Sequence, residues 1–161
     1  ALMFLRAADL PIDVPIRAQD IMRAPLMHVY RNTPIRDAAR QMLAHRLEAV
    51  PVLNDANHVI GEITTDILFK FGLPDFFSQL KSVSFISEFD PFEKYFEREA
   101  HSTVGDLMQP AMAVMSPQAT LLEIVFALAV RHAPKIYIVR DDDALIGVID
   151  RIAVLDNVIN L

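Results

Sequence analysis

The chain contains no cysteine, which removes disulfides, thiolate nucleophiles and thiolate zinc sites together and agrees with a reducing compartment. It also lacks any uncharged apolar stretch of the ~18 residues that a membrane span requires. Ala1 to Pro15 has neither the basic start nor the small-residue cleavage site of a secretory signal, so a cytosolic location without membrane insertion is expected. An excess of basic residues is missing too: 15 Lys and Arg stand against 21 Asp and Glu, a net charge of −6. That balance argues against nucleic acid as a partner, whose footprint is a basic patch. The histidines, His28, His45, His58, His101 and His132, show no i, i+4 pairing, so no metal centre is expected. Asp141-Asp142-Asp143 has no EF-hand spacing and reads as a solvated hairpin turn. No nucleophile with its base and no paired acid and base can be assembled, so catalysis is not expected.

What is present is a repeat. The 161 residues, 53 % hydrophobic and 22 % charged, suit one folded module with a sizeable core. Adding 86 to a residue number carries Asp20-Ile21-Met22 onto Asp106-Leu107-Met108 and Ile60-Gly61-Glu62-Ile63 onto Ile146-Gly147-Val148-Ile149 without a gap. Ile35, Ala38, Ala39, Met42 and Leu43 trace one apolar helical face, with Thr33 as the N-cap candidate, and Leu121, Ile124, Val125, Leu128 and Ala129 repeat it in frame. Strands are predicted at Leu26–Tyr30, Val50–Leu53 and Val59–Ile63, and again at Met112–Met115, Ile136–Val139 and Leu145–Ile149. Further helices are predicted to start near Asp66 and Arg151. Each unit is thus β-α-β-β-α, over residues 17–68 and 101–156. Neither is large enough for a sizeable core alone, so an α+β fold is expected in which the two pack as a pseudo-two-fold pair.

The openings Asp20-Ile21-Met22 and Asp106-Leu107-Met108, the strand Val50-Pro51-Val52-Leu53, and the hairpins closing on Gly61-Glu62-Ile63-Thr64 and Gly147-Val148-Ile149-Asp150 resemble a tandem pair of CBS domains, named after cystathionine β-synthase. The resemblance implies a regulatory module that binds an adenosine-containing ligand of the AMP, ADP or ATP type and controls an attached or partner enzyme or transporter. The alternative is a structural dimerisation and docking module with degenerate nucleotide sites. In the family pattern a Gly is followed three residues on by a phosphate-holding Thr or Ser, and six residues on by a ribose-binding Asp. Thr64 matches the first position, while Asp66 arrives five residues after Gly61. In the second unit the two positions hold Asp150 and Ala153, so that half-site is expected to repel phosphate and to take an uncharged or cationic adenosyl compound, or none.

The resemblance therefore names Asp66 for the ribose and Thr64 and Thr65 for phosphate. It places Pro25, Leu26, Met27, Ala49 and Val50 around adenine, with Lys135 and Arg131 meeting phosphate from the second unit. An acid in a first helical turn, a Thr at a helix start and apolar residues in a core are equally ordinary without a ligand. Between the units, residues 69–100 hold eight of the ten phenylalanines, including Phe69, Phe89 and Phe92. So much aromatic surface must cover its own chain or a partner. Together with the resemblance it leads to the expectation of a homodimer. Met3 is preceded by Ala1 and Leu2, so the chain is expected to be processed, tagged or cut from a larger protein.

Overall fold

A computed structural model describes residues 15–71, 73, 79–82, 97 and 101–160. Its elements in chain order are α1 (Ala18–Ile21), β1 (Val29–Tyr30), α2 (Ile35–His45), β2 (Ala49–Leu53), β3 (Val59–Thr64), α3 (Thr65–Phe71), α4 (Val104–Leu107), β4 (Val114–Met115), α5 (Leu121–Ala129), β5 (Ile136–Val139), β6 (Leu145–Ile149) and α6 (Arg151–Ile159). They build two three-stranded sheets, β1-β2-β3 and β4-β5-β6. In each, the first two strands run parallel with a helix crossing between them, and the third returns antiparallel through a hairpin.

The repeat frame holds in three dimensions. Among the described residues, the non-glycine positions with positive φ are Arg46, Asn57, His132 and Asp143, and each of the first two is carried onto one of the last two by the 86-residue offset. In the first hairpin the Asn54 carboxamide oxygen accepts from the Ala56 and His58 amides, while Asn57 takes the left-handed turn position. In the second, Asp142 accepts from the Ala144 amide and pairs with Arg140 at 3.2 Å. The Asp141–Asp143 run is therefore a hairpin turn.

Two α-helical turns missing from the expected pattern explain how the units join. The backbone of α1 bonds to the second unit, from the Ala18 amide to the Ala119 carbonyl at 2.9 Å, and Ala18 and Ile21 lie in that unit's core with Ile124, Leu128 and Ile136. Reciprocally, the Val104 amide of α4 donates to the Thr33 carbonyl, and Val104 sits in the first unit's core with Ile35, Met42 and Val52. The segments after these turns cross over too: Arg23 bridges Val148 on β6, and Gln109 bridges Glu62 on β3. Gly61 and Gly147 permit this approach, since a Cβ on Gly61 would lie 2.9 Å from the Gln109 carbonyl oxygen and one on Gly147 2.5 Å from the Met22 sulfur. Leu53, Tyr137 and Leu145 close a third, smaller core along the seam.

Several expectations need correction. Leu43 is 78 % exposed, and Val125 and Ala129 also face outward; the helices bury only Ile35, Ala38 and Met42, and Ile124, Ala127 and Leu128. Each lies on a single sheet, which covers a narrower stripe than a core-facing helix offers. The first strand of each unit is two residues long, because Leu26 and Met112 belong to the crossing segments. Pro34, not Thr33, holds the N-cap position of α2; the Thr33 hydroxyl accepts from the Tyr30 amide instead. Helices α3 and α6 run to Phe71 and Ile159, past the expected unit ends. Most of the Phe-rich stretch, Phe89 and Phe92 included, lies outside the described residues.

Candidate functional site

Because the crossing segments pair with the opposite sheet, each β-α corner faces elements of the other unit. Two clefts result. The first, of about 380 Å³, is lined from the first unit by Glu48, Glu62, Thr64, Thr65, Asp66 and Ile67, and from the second by Gln109, Pro110, Met112, His132, Pro134 and Arg151. The second, about 220 Å³, has Pro25, Leu26, Met27, Ala49 and Pro51 of the first unit opposite Lys135, Val148 and Asp150 of the second, with Arg23 at its wall. A smaller groove shared by Leu47, Ala49, Lys135 and Asp150 continues from the second cleft toward Glu48, Pro134 and Arg151 of the first.

The residues assigned to one site from the sequence are thus divided between two. Thr64, Thr65 and Asp66 line the first cleft, whereas Pro25, Leu26, Met27, Ala49 and Lys135 line the second. Val50 is fully buried in the first unit's core, since alternation along β2 turns it away from Ala49's side. Arg131 is exposed and donates to the Met112 carbonyl at 3.1 Å. The apolar lining that accompanies Asp66 is Pro110, Met112 and Pro134. Applying the 86-residue frame across the units would have found Met112, which corresponds to Leu26.

Thr64 holds its helix: the hydroxyl accepts from the Ile67 amide at 3.1 Å. Asp150 does the same for α6, accepting from the Ala153 amide at 2.8 Å. Asp66 is largely exposed and pairs with Lys70 one turn on at 3.1 Å. Arg151 anchors the start of α6 to the end of α5 by donating to the Ala133 and Leu128 carbonyls.

Two buried charged groups were not anticipated as such. Glu62, 2 % exposed, lies in the floor of the first cleft. One of its oxygens accepts from the Tyr137 hydroxyl at 2.7 Å, the other from the Met112 amide at 3.2 Å, so its partners all come from the second unit. Burial pushes its carboxyl above the usual range, against the opposing effects of these bonds and of Lys135. Burial likewise carries the Tyr137 phenol well above its ordinary value, reinforced by Glu62. Lys135, 7 % exposed, is pulled below the usual ammonium range by burial, against Asp150, Glu62 and Glu48. Among the described residues, no group of three or more His, Asp or Glu is placed to hold a metal ion, and no helix is long and apolar enough to cross a membrane.

Comparison with known proteins places this geometry. No curated protein matches the sequence. Among solved structures, CBSX2 from Arabidopsis thaliana, a CBS-pair protein, superposes with a TM-score of 0.72 at 20 % identity, over 91 % of this chain and 96 % of that one. A structure of CBSX2 in complex with AMP gives 0.69 at 21 %, covering 89 % and 96 %. The CBS domain of a membrane protein from Sphaerobacter thermophilus gives 0.65 at 20 %, covering 88 % and 87 %. These likenesses show the fold. The model of the CBS domain family matches twice, over residues 18–73 and 104–160, and with both halves of the repeat so matched the chain belongs to the CBS domain family as a tandem pair.

Proposed function

We propose that this chain is a regulatory module that binds an adenosine-containing ligand between its two units and transmits occupancy to an attached or partner protein. One observation carries the proposal: each cleft is walled by both units, so a ligand there bridges them and biases how they sit together. Prolines, Leu26, Met27 and Met112 offer flat apolar surface for a purine, and Thr65 and Asp66 offer polar groups beside it. The AMP complex of the similarly folded CBSX2 supports the ligand class. Residues 17–68 and 101–156 act as the two ligand-bearing units, with 69–100 as an insert, and the module works in the cytoplasm without catalysis of its own. The test is a thermal-shift panel with AMP, ADP, ATP and S-adenosylmethionine. A ligand at 100 times its dissociation constant stabilises by about 2.7 kcal/mol, and a panel with no shift overturns the reading.

The docking alternative keeps a specific support. Leu122 and Phe126 on α5, Val130 at its C-cap, and Ile152, Leu155 and Ile159 on α6 are each at least half exposed. At the frame-related positions of α2 the first unit carries Arg36, Arg40 and Ala44. Of the frame-related pair α2 and α5, only α5 thus carries an apolar stripe at these positions, while Phe69 on α3 is exposed as its counterpart Leu155 on α6 is. The exposed apolar faces of α5 and α6 suit a homodimer formed face to face through the second unit. None of these six residues lines either cleft, though Ile152 reaches the groove beside Lys135.

A further inference from the structure

The two clefts are equivalent by fold, yet only the first has an acid in its floor. Glu62 lines it from β3, and the 86-residue frame puts Val148 at the matching place on β6, where it lines the second cleft. The other charged and titratable groups around the first cleft are Glu48 ahead of β2, Asp66 on α3, His132 after α5 and Arg151 on α6. Tyr137 on β5 bonds Glu62 directly, and Lys135, just before that strand, acts on it from the second cleft, which it shares with Asp150.

Each Glu62 oxygen already holds a protein donor, the Tyr137 hydroxyl at 2.7 Å on one and the Met112 amide at 3.2 Å on the other. Met112 itself stands in the cleft wall, so a ligand and Glu62 meet the same segment of the second unit. With its donors in place, the carboxyl feels a ligand chiefly through the solvent. Water in the space of about 380 Å³ beside it gives way to the faces of a base and a sugar. Taking water from a carboxylate favours the neutral acid, and burial already holds the Glu62 carboxyl above the usual range against both bonds and Lys135. The neighbours act otherwise. Covering the imidazole of His132 disfavours its charged form and releases a proton, the opposite sign. Asp66 is largely exposed and paired with Lys70, and the Arg151 guanidinium is committed to two backbone carbonyls.

We propose that the first cleft binds its ligand together with a proton, and that Glu62 in the cleft floor is the group that takes it. The proton comes from bulk water, converts the carboxylate to the neutral acid, and makes affinity at this cleft rise as pH falls. This rests on the reading of the chain as an adenosine-binding module and names pH as a second signal that the same site registers. With Val148 at the matching place, the second cleft has no such response.

The experiment is calorimetric titration of the full chain with adenosine, which carries no group that ionises near neutral pH. Each pH is run in two buffers of different ionisation enthalpy, so that the difference in heat gives the protons exchanged on binding. The wild type is expected to take up a proton fraction of at least about 0.3 per adenosine at its maximum, and to bind at least about threefold more tightly at about pH 5.5 than at about pH 7.5. Glu62→Gln, whose carboxamide oxygen still accepts from Tyr137, is expected to lose the uptake and to keep its affinity within about twofold across that range. Tyr137→Phe removes a donor that holds the Glu62 carboxyl down, so the uptake is expected to move to higher pH; this variant decides the matter should Glu62→Gln not fold. Uptake that survives in Glu62→Gln, a pH range unmoved in Tyr137→Phe, or adenosine binding without uptake in the wild type overturns the inference, while the binding itself still supports the broader reading. A wild type that gives neither heat nor a thermal shift with adenosine overturns both.

Discussion

Glu62 is the residue at which the two units are chemically tied. Its carboxylate takes both its donors from the second unit, and its frame-related position there is Val148, so the tie is made once and not twice. The folded state holds the Glu62 proton more tightly than the unfolded chain does. Stability from this group is therefore fullest below the unfolded value near ~4.3 and falls as pH rises through the raised folded value. Glu62→Gln removes the titration. Urea unfolding from about pH 4 to pH 7 is expected to show the wild type losing stability relative to Glu62→Gln as pH rises, and a constant difference between the two would sink this account. Lys135 has the opposite sign: its lowered folded value places a gain of stability with rising pH between that value and the unfolded ~10.4.

Among the elements, the short turns α1 and α4 decide whether each unit has a complete core. Ile21, 4 % exposed, is a first-unit residue by sequence and a second-unit residue by packing. Ile21→Ala is expected to cost about 2–5 kcal/mol. Hydrogen exchange should quicken first in β5 and β6; quickening first in β2 would show that the exchange of turns carries little energy. The strand glycines belong to the same device. Gly147→Ala would press a Cβ to 2.9 Å from that of Met22, a backbone-anchored atom that cannot swing away. The expected cost is about 1–3 kcal/mol, measured by denaturant titration, with unfolding still a single transition.

At the scale of the whole molecule, the proposed homodimer rests on the exposed apolar faces of α5 and α6. Light scattering is expected to return twice the 18.1 kDa chain mass at micromolar concentration. Phe126→Asp, a charge placed at the half-exposed ring of the proposed interface, is expected to return the monomer, whereas Arg40→Asp at the frame-related position leaves the dimer intact. A monomeric wild type contradicts the interface.

Much of this was legible in the chain. The repeat, the β-α-β-β-α order and the hairpins depend on local patterns, such as alternation in Leu145–Ile149 and an Asp or Asn at each turn, and these survive in any single sequence. Which candidate residues share a cleft was not legible. Thr64 and Asp66 sit in a different cleft from Leu26 and Ala49, because the segments after α1 and α4 pair with the opposite sheet, a contact between residues more than a hundred positions apart at Arg23 and Val148. The sequence by itself determined the repeat and its β-α-β-β-α order, though not the turns α1 and α4, since periodicity and turn chemistry act over a few residues. Only the tertiary structure decided which halves face each other, and that Lys135 and Glu62 are buried, since burial and cleft charge arise from long-range packing that no local pattern encodes.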